Sequence, residues 1–167
     1  MTAGSVVGVV GTRHIAESTR VLSSLSDIDY VDLFTLALDT GTGTAATAER
    51  WARAMFGDVP SVAEQVIWHG LLGLRLSRGR SRATVAGWRI GHRGEGSVRL
   101  EAASWFLSCN LVVQATEGRV SLATFLRYDR LVGHVVWPPL SAVHRGLVPG
   151  VLRAAAVRIR APRRGNG

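Results

Sequence analysis

Residues 120–157, VSLATFLRYDRLVGHVVWPPLSAVHRGLVPGVLRAAAV, hold the transition that decides the fold. Residues 120–128 are a run of β-branched, aromatic and aliphatic side chains, the composition of a strand. Residues 129–133 form a turn, and residues 134–137 read as a short last strand. Pro138-Pro139 then opens a helix to about residue 157, with Leu140, Val143, Leu147, Val151 and Ala154 on one stripe. Pro149 removes one backbone donor and is expected to kink that helix near Arg145.

Upstream, the texture stays β-rich back to residue 84. Residues 84–90 read as a strand and residues 91–96 as a turn. Residues 98–113 read as two strands or one bent strand, and Glu117-Gly118 as a hairpin turn. Residues 77–83 are an arginine-rich loop. Before it, Thr47 is a candidate N-cap for a helix over residues 48–56, ended by Gly57, and a second helix is expected from residue 62 to about residue 76. Residues 29–36, DYVDLFTL, are the first strand, with Tyr30, Asp32, Phe34 and Leu36 on one face. A Gly/Thr turn cluster, residues 39–44, follows it. Residues 1–25 show no clear period and read as an N-terminal extension; Gly8-Val-Val-Gly11 lacks the Lys-Ser/Thr of a phosphate loop. Residues 159–167 read as a basic, flexible tail. The order is α+β: a strand, two short helices, antiparallel strands, then one long helix for the sheet to curve around.

At 167 residues the chain has the length of one domain, and 47% hydrophobic with 19% charged residues excludes disorder of its body. The lone Cys109 builds neither a disulfide framework nor a cysteine zinc site. No apolar run approaches the ~20 residues of a membrane helix, and the opening residues lack a basic stretch, so a cytoplasmic protein is expected. The net charge of +8 suggests nucleic acid, yet all twenty basic residues are arginine. Five of them, Arg153, Arg158, Arg160, Arg163 and Arg164, crowd the C-terminal end, and no arginine cluster interleaves with aromatics. Nucleic-acid binding is therefore not expected.

Three stretches bear on family: Asp29-Tyr30-Val31-Asp32, Trp88-Arg89-Ile90-Gly91, and the C-terminal block with residues 120–124, Gly133-His134 and residues 138–149. Together with the element order they resemble the helix-grip fold of the START and polyketide-cyclase-like (SRPBCC) superfamily, in particular one of its families of unknown function. The resemblance spans about residues 29–155 and implies a ligand-binding domain over residues 26–158, with a hydrophobic cavity between sheet and terminal helix. Such families often carry Gly-Arg-x-Tyr where this chain has Gly133-His134-Val135-Val136, so that arginine and aromatic are missing.

Polar candidates for chemistry in such a cavity are His144, Arg127, Asn110 and Thr124. A histidine with its unperturbed pKa near ~6.5 suits proton transfer, although His144 shows no acid or base partner in the sequence. The plainer role is a histidine satisfied by a backbone carbonyl. Arg145, one position on, points about 100° away and reads as a surface or sheet-edge anchor. Candidate ligand contacts are Trp68, His69, Trp88, Trp105, Phe106, Phe125, Trp137, Leu140, Val143 and Leu147; plain core packing is the competing role for Trp88, Trp105 and Trp137. Period two groups Ser108 and Asn110 with Phe106, and Arg127 with Phe125, and either sheet face can be the inward one. Asp29 and Asp32, three apart on a strand, face opposite sides. No GxSxG elbow and no metal-ligand spacing occurs.

The function expected on the resemblance is binding of a hydrophobic small molecule, polyketide-like or polyene, and its cyclisation, dehydration or isomerisation without cofactor or metal. The alternative is a non-catalytic carrier of an apolar ligand. A homodimer through an apolar edge strand, residues 29–36 or 134–137, is a further expectation.

Overall fold

The computed structural model describes residues 4–39, 46–57 and 66–161. In chain order the elements are strand β1 (Val6–Val10), a 3-10 turn (Thr12–His14), the one-turn helix α1 (Glu17–Arg20), β2 (Tyr30–Ala37) and α2 (Ala48–Phe56). A π-helical turn (Val66–Leu71) follows, then β3 (Thr84–Val85), β4 (Trp88–Gly94), β5 (Ser97–Ala103), β6 (Leu107–Thr116), β7 (Arg119–Tyr128) and the long helix α3 (Gly133–Arg160). The strands form one open sheet, ordered β1-β2-β7-β6-β5-β4-β3, with every neighbouring pair antiparallel. The α+β class with a long C-terminal helix is as the sequence led us to expect.

Local sequence explains most of the element ends. Thr47 caps α2 by accepting from the Arg50 amide at 3.2 Å, and Gly57 ends it at φ 75°. Ala86-Gly87, both at positive φ, make the two-residue turn between β3 and β4. Glu95-Gly96 and Glu117-Gly118 turn the next hairpins.

The interior strand β7 is buried on both faces from Val120 to Leu126, which is why it reads as a nearly continuous apolar run. On one face Leu122 and Leu126 join the main core with Phe34 and Leu36 of β2, Leu111 of β6, Trp51 and Met55 of α2, and Val148 and Leu152 of α3. On the other face Ala123 and Phe125 join Val31, Val112 and Ile15, with Leu22, Leu25 and Ile28 packed alongside. Each of these larger side chains contributes about 1.5–3 kcal/mol by leaving water.

The structure corrects several sequence-based expectations. The segment expected to be an extension supplies the edge strand β1 and a stretch, residues 11–28, that covers the second sheet face; its apolar residues are spaced irregularly because a covering loop has no period. Residues 134–137 are the first turn of α3, not a strand. β7 already has β2 and β6 on its two sides, so the chain leaving it finds no free ladder, and it turns into helix through short i→i−3 bonds at His134 and Val135. The helix runs from Gly133 to Arg160, so Pro138 and Pro139 lie inside it instead of opening it, as does Pro149. Its buried stripe is Trp137, Ser141, Val148, Leu152 and Ala155; the expected stripe of Leu140, Val143, Leu147, Val151 and Ala154 is displaced to the flank. Residues 66–71 of the second expected helix form a single π turn that does not continue, because Gly73 takes φ 60°. Its start, the Gly/Thr cluster after residue 39 and the tail beyond residue 161 lie outside the described residues.

Candidate functional site

Asp32 stands on β2 between Tyr30 and Phe34, on the strand face that packs against the helices, and it is 0% exposed. A carboxylate buried in an apolar layer demands hydrogen-bonding partners. Tyr30, two residues earlier on the same face, donates its hydroxyl to Asp32 Oδ2 at 2.6 Å. His144 of α3 brings Nε2 to 3.0 Å from the same oxygen. Thr124, directly opposite Asp32 in the β2–β7 ladder, places Oγ1 3.2 Å from His144 Nε2. Asp32 Oδ1 is buried with no partner among the described residues.

Two oxygens, one of them a carboxylate, face Nε2, so that nitrogen carries the hydrogen and donates. In the neutral ring the lone pair then sits on Nδ1. Trp137, two helical turns before His144, packs 5.5 Å from its ring and 5.2 Å, edge-on, from Tyr30. Burial pushes the Tyr30 phenol well above its ordinary range, and the Asp32 charge adds to this; the Arg145 guanidinium beside the hydroxyl opposes it. Tyr30 is thus a proton donor to Asp32 at all moderate pH. Arg145 is part of this cluster, its guanidinium beside the Tyr30 hydroxyl of β2.

His144 and Thr124 form the polar wall of a cavity of about 110 Å³ between the sheet and α3. The remaining walls are almost wholly apolar. Trp68, Trp88, Trp137, Leu140, Val143 and Leu147, all candidates from the sequence, line it, together with Phe56, Leu111 and Leu126. Val143 and Leu147 are half-exposed and form part of its rim. The indole N–H groups of Trp88 and Trp137 are buried without a partner among the described residues. Cys109 also contributes to the wall; burial holds its thiol protonated, the state of an unreactive cysteine.

The other candidates lie elsewhere. Asn110 and Arg127 are on the opposite sheet face, since β6 and β7 alternate. Asn110 Oδ1 accepts from Ser23 and Ser24 and so ties the N-terminal stretch to the sheet. Arg127 pairs with Asp129 at 2.7 Å. Phe125 belongs to the smaller core under residues 11–28. Phe106 is buried in the main core without lining the cavity, Trp105 is 62% exposed at the β5–β6 turn, and His69 is exposed on the π turn. Among the described residues no group of three or more His, Cys, Asp or Glu side chains is placed to hold a metal ion, and no helix is long and apolar enough to cross a membrane.

Tyr30 and Asp32 are the residues that sequence reasoning missed. The signal was present: an aspartate on the same strand face as Phe34 and Leu36 is either exposed with them or buried with a partner. Comparing Asp32 only with Asp29 passed over it, because the partner comes from an element more than a hundred positions away.

No protein-family model matches the chain, and no curated protein or solved structure matches it.

Proposed function

We propose that the chain is a helix-grip domain that binds a hydrophobic small molecule between sheet and α3 and promotes its cyclisation, dehydration or isomerisation by proton transfer. The observation that carries this reading is His144 in the wall of an otherwise mostly apolar cavity, with the buried Asp32 bonded to its ring from behind that wall. Asp32 fixes the tautomer and orientation of the imidazole, the arrangement that prepares a general base. His144 Nδ1 takes a proton from a carbon or hydroxyl of the ligand. The imidazolium so formed is stabilised by the Asp32 carboxylate in a site where low polarity strengthens the attraction. Return of the proton at a second position completes an isomerisation, and delivery to a leaving hydroxyl completes a dehydration. Tyr30 and Thr124 hold the pair in place.

The volume bounds the ligand. About 110 Å³ is on the scale of one small ring, since roughly 150 Å³ accommodates benzene. A polyketide-like or polyene molecule would place one ring-sized portion inside and lay the rest across the rim at Val143 and Leu147. The resemblance to the helix-grip families supports the same ligand class. A non-catalytic carrier is the second reading, and the apolar lining, broken chiefly by Thr124 and His144, is what favours it.

The test begins with native mass spectrometry and extraction of any co-purified molecule. The molecule found, or a panel of small cyclic enones, is then incubated with the protein in D₂O. Enzymatic proton transfer gives deuterium incorporation or product, reduced by about 10²-fold or more in His144→Gln and Asp32→Asn. A ligand that binds but neither exchanges nor reacts would leave the carrier reading standing. Turnover unchanged in His144→Gln would remove the proposed base.

A further inference from the structure

β1 is the outermost strand of the sheet, bonded to β2 on one side only. Its register is Val6 with Leu36 through Val10 with Asp32, flanked by the bonds Ala37 N–H to Ser5 O and Gly11 N–H to Val31 O. In an antiparallel ladder the bonded positions alternate, so Ser5, Val7, Val9 and Gly11 bond to β2. The N–H and C=O groups of Val6, Gly8 and Val10 therefore point to the open side. From Gly4 to Thr12 the chain has no charged residue and no proline, the devices that usually guard such an edge. Val7 is 62% exposed on it.

The sequence of the strand, Val-Val-Gly-Val-Val, is the same in both directions about Gly8. We propose that β1 pairs antiparallel with β1 of a second copy of this chain about a two-fold axis at Gly8, joining two sheets into one. The proposal is independent of any reading of the cavity.

The parity fits. Gly8 would face Gly8, and Val6 would face Val10 twice. All of these are positions whose backbone groups point outward, so the pairing closes about six hydrogen bonds, two for each opposed pair. Val7 would lie against Val9 of the other copy as a close non-bonded pair of β-branched side chains. Gly8 is bare on its inner side because Phe34 occupies that space: an added Cβ would sit 2.4 Å from the ring. The axis therefore meets no side chain from residue 8 itself. At the far edge of the sheet β3 has only two residues, Thr84 and Val85, and the stretch of β4 beyond it carries His92 and Arg93, polar and charged guards against a β1 from a neighbour in an open fibre, so closed two-fold pairing is the matched arrangement. The two edge strands expected from sequence, residues 29–36 and 134–137, are an interior strand and a helix, which leaves β1 as the edge that pairs.

Analytical ultracentrifugation of the full chain over a concentration series tests this. The expected result is a reversible rise in mass from 17.9 kDa to twice that value, as suits a small interface. Val10→Pro deletes an outward N–H and leaves the β2 ladder intact; it should stay monomeric, whereas Val10→Thr, which keeps the N–H, should dimerise like the parent. Val7→Lys, a charge at a position already exposed, should also abolish dimerisation, and a thermal midpoint near the parent's confirms that the variants are folded. A chain monomeric to its solubility limit, growth beyond two copies, or a dimer indifferent to both Val10→Pro and Val7→Lys would each overturn the proposal.

Discussion

Asp32 is a carboxylate without exposed surface, and Tyr30 supplies the shortest of its hydrogen bonds. Tyr30→Phe leaves that oxygen one donor short inside the protein, at a cost of about 1–3 kcal/mol, measurable as a lower urea midpoint at neutral pH. The same residue sets an alkaline response. The folded chain holds the phenol proton more tightly than the unfolded chain, whose tyrosine titrates near 10.0. As pH rises past that value the unfolded state gives up the proton first, so the Tyr30 contribution is complete below about pH 10 and lost above it. Stability should fall steeply there in the parent chain and less steeply in Tyr30→Phe, with a remaining slope from Tyr128, which burial raises in the same direction. At this scale the sequence was half legible. His144, Thr124 and the tryptophans at 68, 88 and 137 stood out by residue type and face. Asn110, Arg127 and Phe125 fell on the wrong side, because alternation groups residues by face without saying which face meets the helices.

The turn between β3 and β4 shows how tightly an element can depend on one atom. Gly87 has φ 85°, its carbonyl accepts from the Ser77 amide, and an added Cβ would lie 2.6 Å from the Ser77 carbonyl oxygen. Gly87→Ala therefore combines backbone strain with a clash against main chain, and should lower the urea midpoint by the equivalent of about 1–3 kcal/mol without changing the denaturant slope. Several elements were legible because their ends carry such chemistry, Thr47 and Gly57 at α2 and Gly118 at the last hairpin, whereas the Ala86-Gly87 turn fell inside residues 84–90, read as one strand, and β4 runs on to Gly94 through the expected turn. Residues 134–137 were not, since Val135, Val136 and Trp137 favour strand locally and only the saturation of β7 on both sides makes them helix. The segment before β2 was illegible for a similar reason: the value of Ile15, Leu22 and Leu25 lies in the sheet face they cover.

Across the whole molecule the net charge of +8 makes each paired carboxylate matter more, because it offsets self-repulsion among the arginines. Arg93 and Arg53 hold Glu49 below its ordinary range. Burial pushes Glu101 up, but Arg99 and Arg89 outweigh it; burial likewise pushes Asp129 up, and Ser108 and Arg127 outweigh that. All three protonate more readily in the unfolded chain, whose values are near 4.5 for glutamate and 3.8 for aspartate. Their contribution is therefore present above about pH 4.5 and is lost as pH falls below it. Thermal midpoints recorded down an acid series should drop in that window. Added salt should flatten the drop, because these pairs are only partly buried and solvent ions screen them.

The pairing of β2 with β7 also governs the order in which the molecule can come into being. Thr124 is opposite Asp32 in that ladder, so a chain made from its N-terminus carries β2 through the synthesis of nearly everything else before the partner strand emerges. Contacts of such wide sequence separation slow folding, because a long loop must close before any of them forms. The imidazole and hydroxyl at the cavity wall and the acid behind them come from α3, β7 and β2, and β7 and α3 follow all the other elements in chain order. A nascent or truncated chain lacking residues beyond 118 would hold Asp32 and the bare edge of β1 without the helix that shelters the one or the β7 strand that pairs with β2 and steadies the other. The site thus cannot assemble until β7 and α3 have both been made, and until then the chain is more open to aggregation.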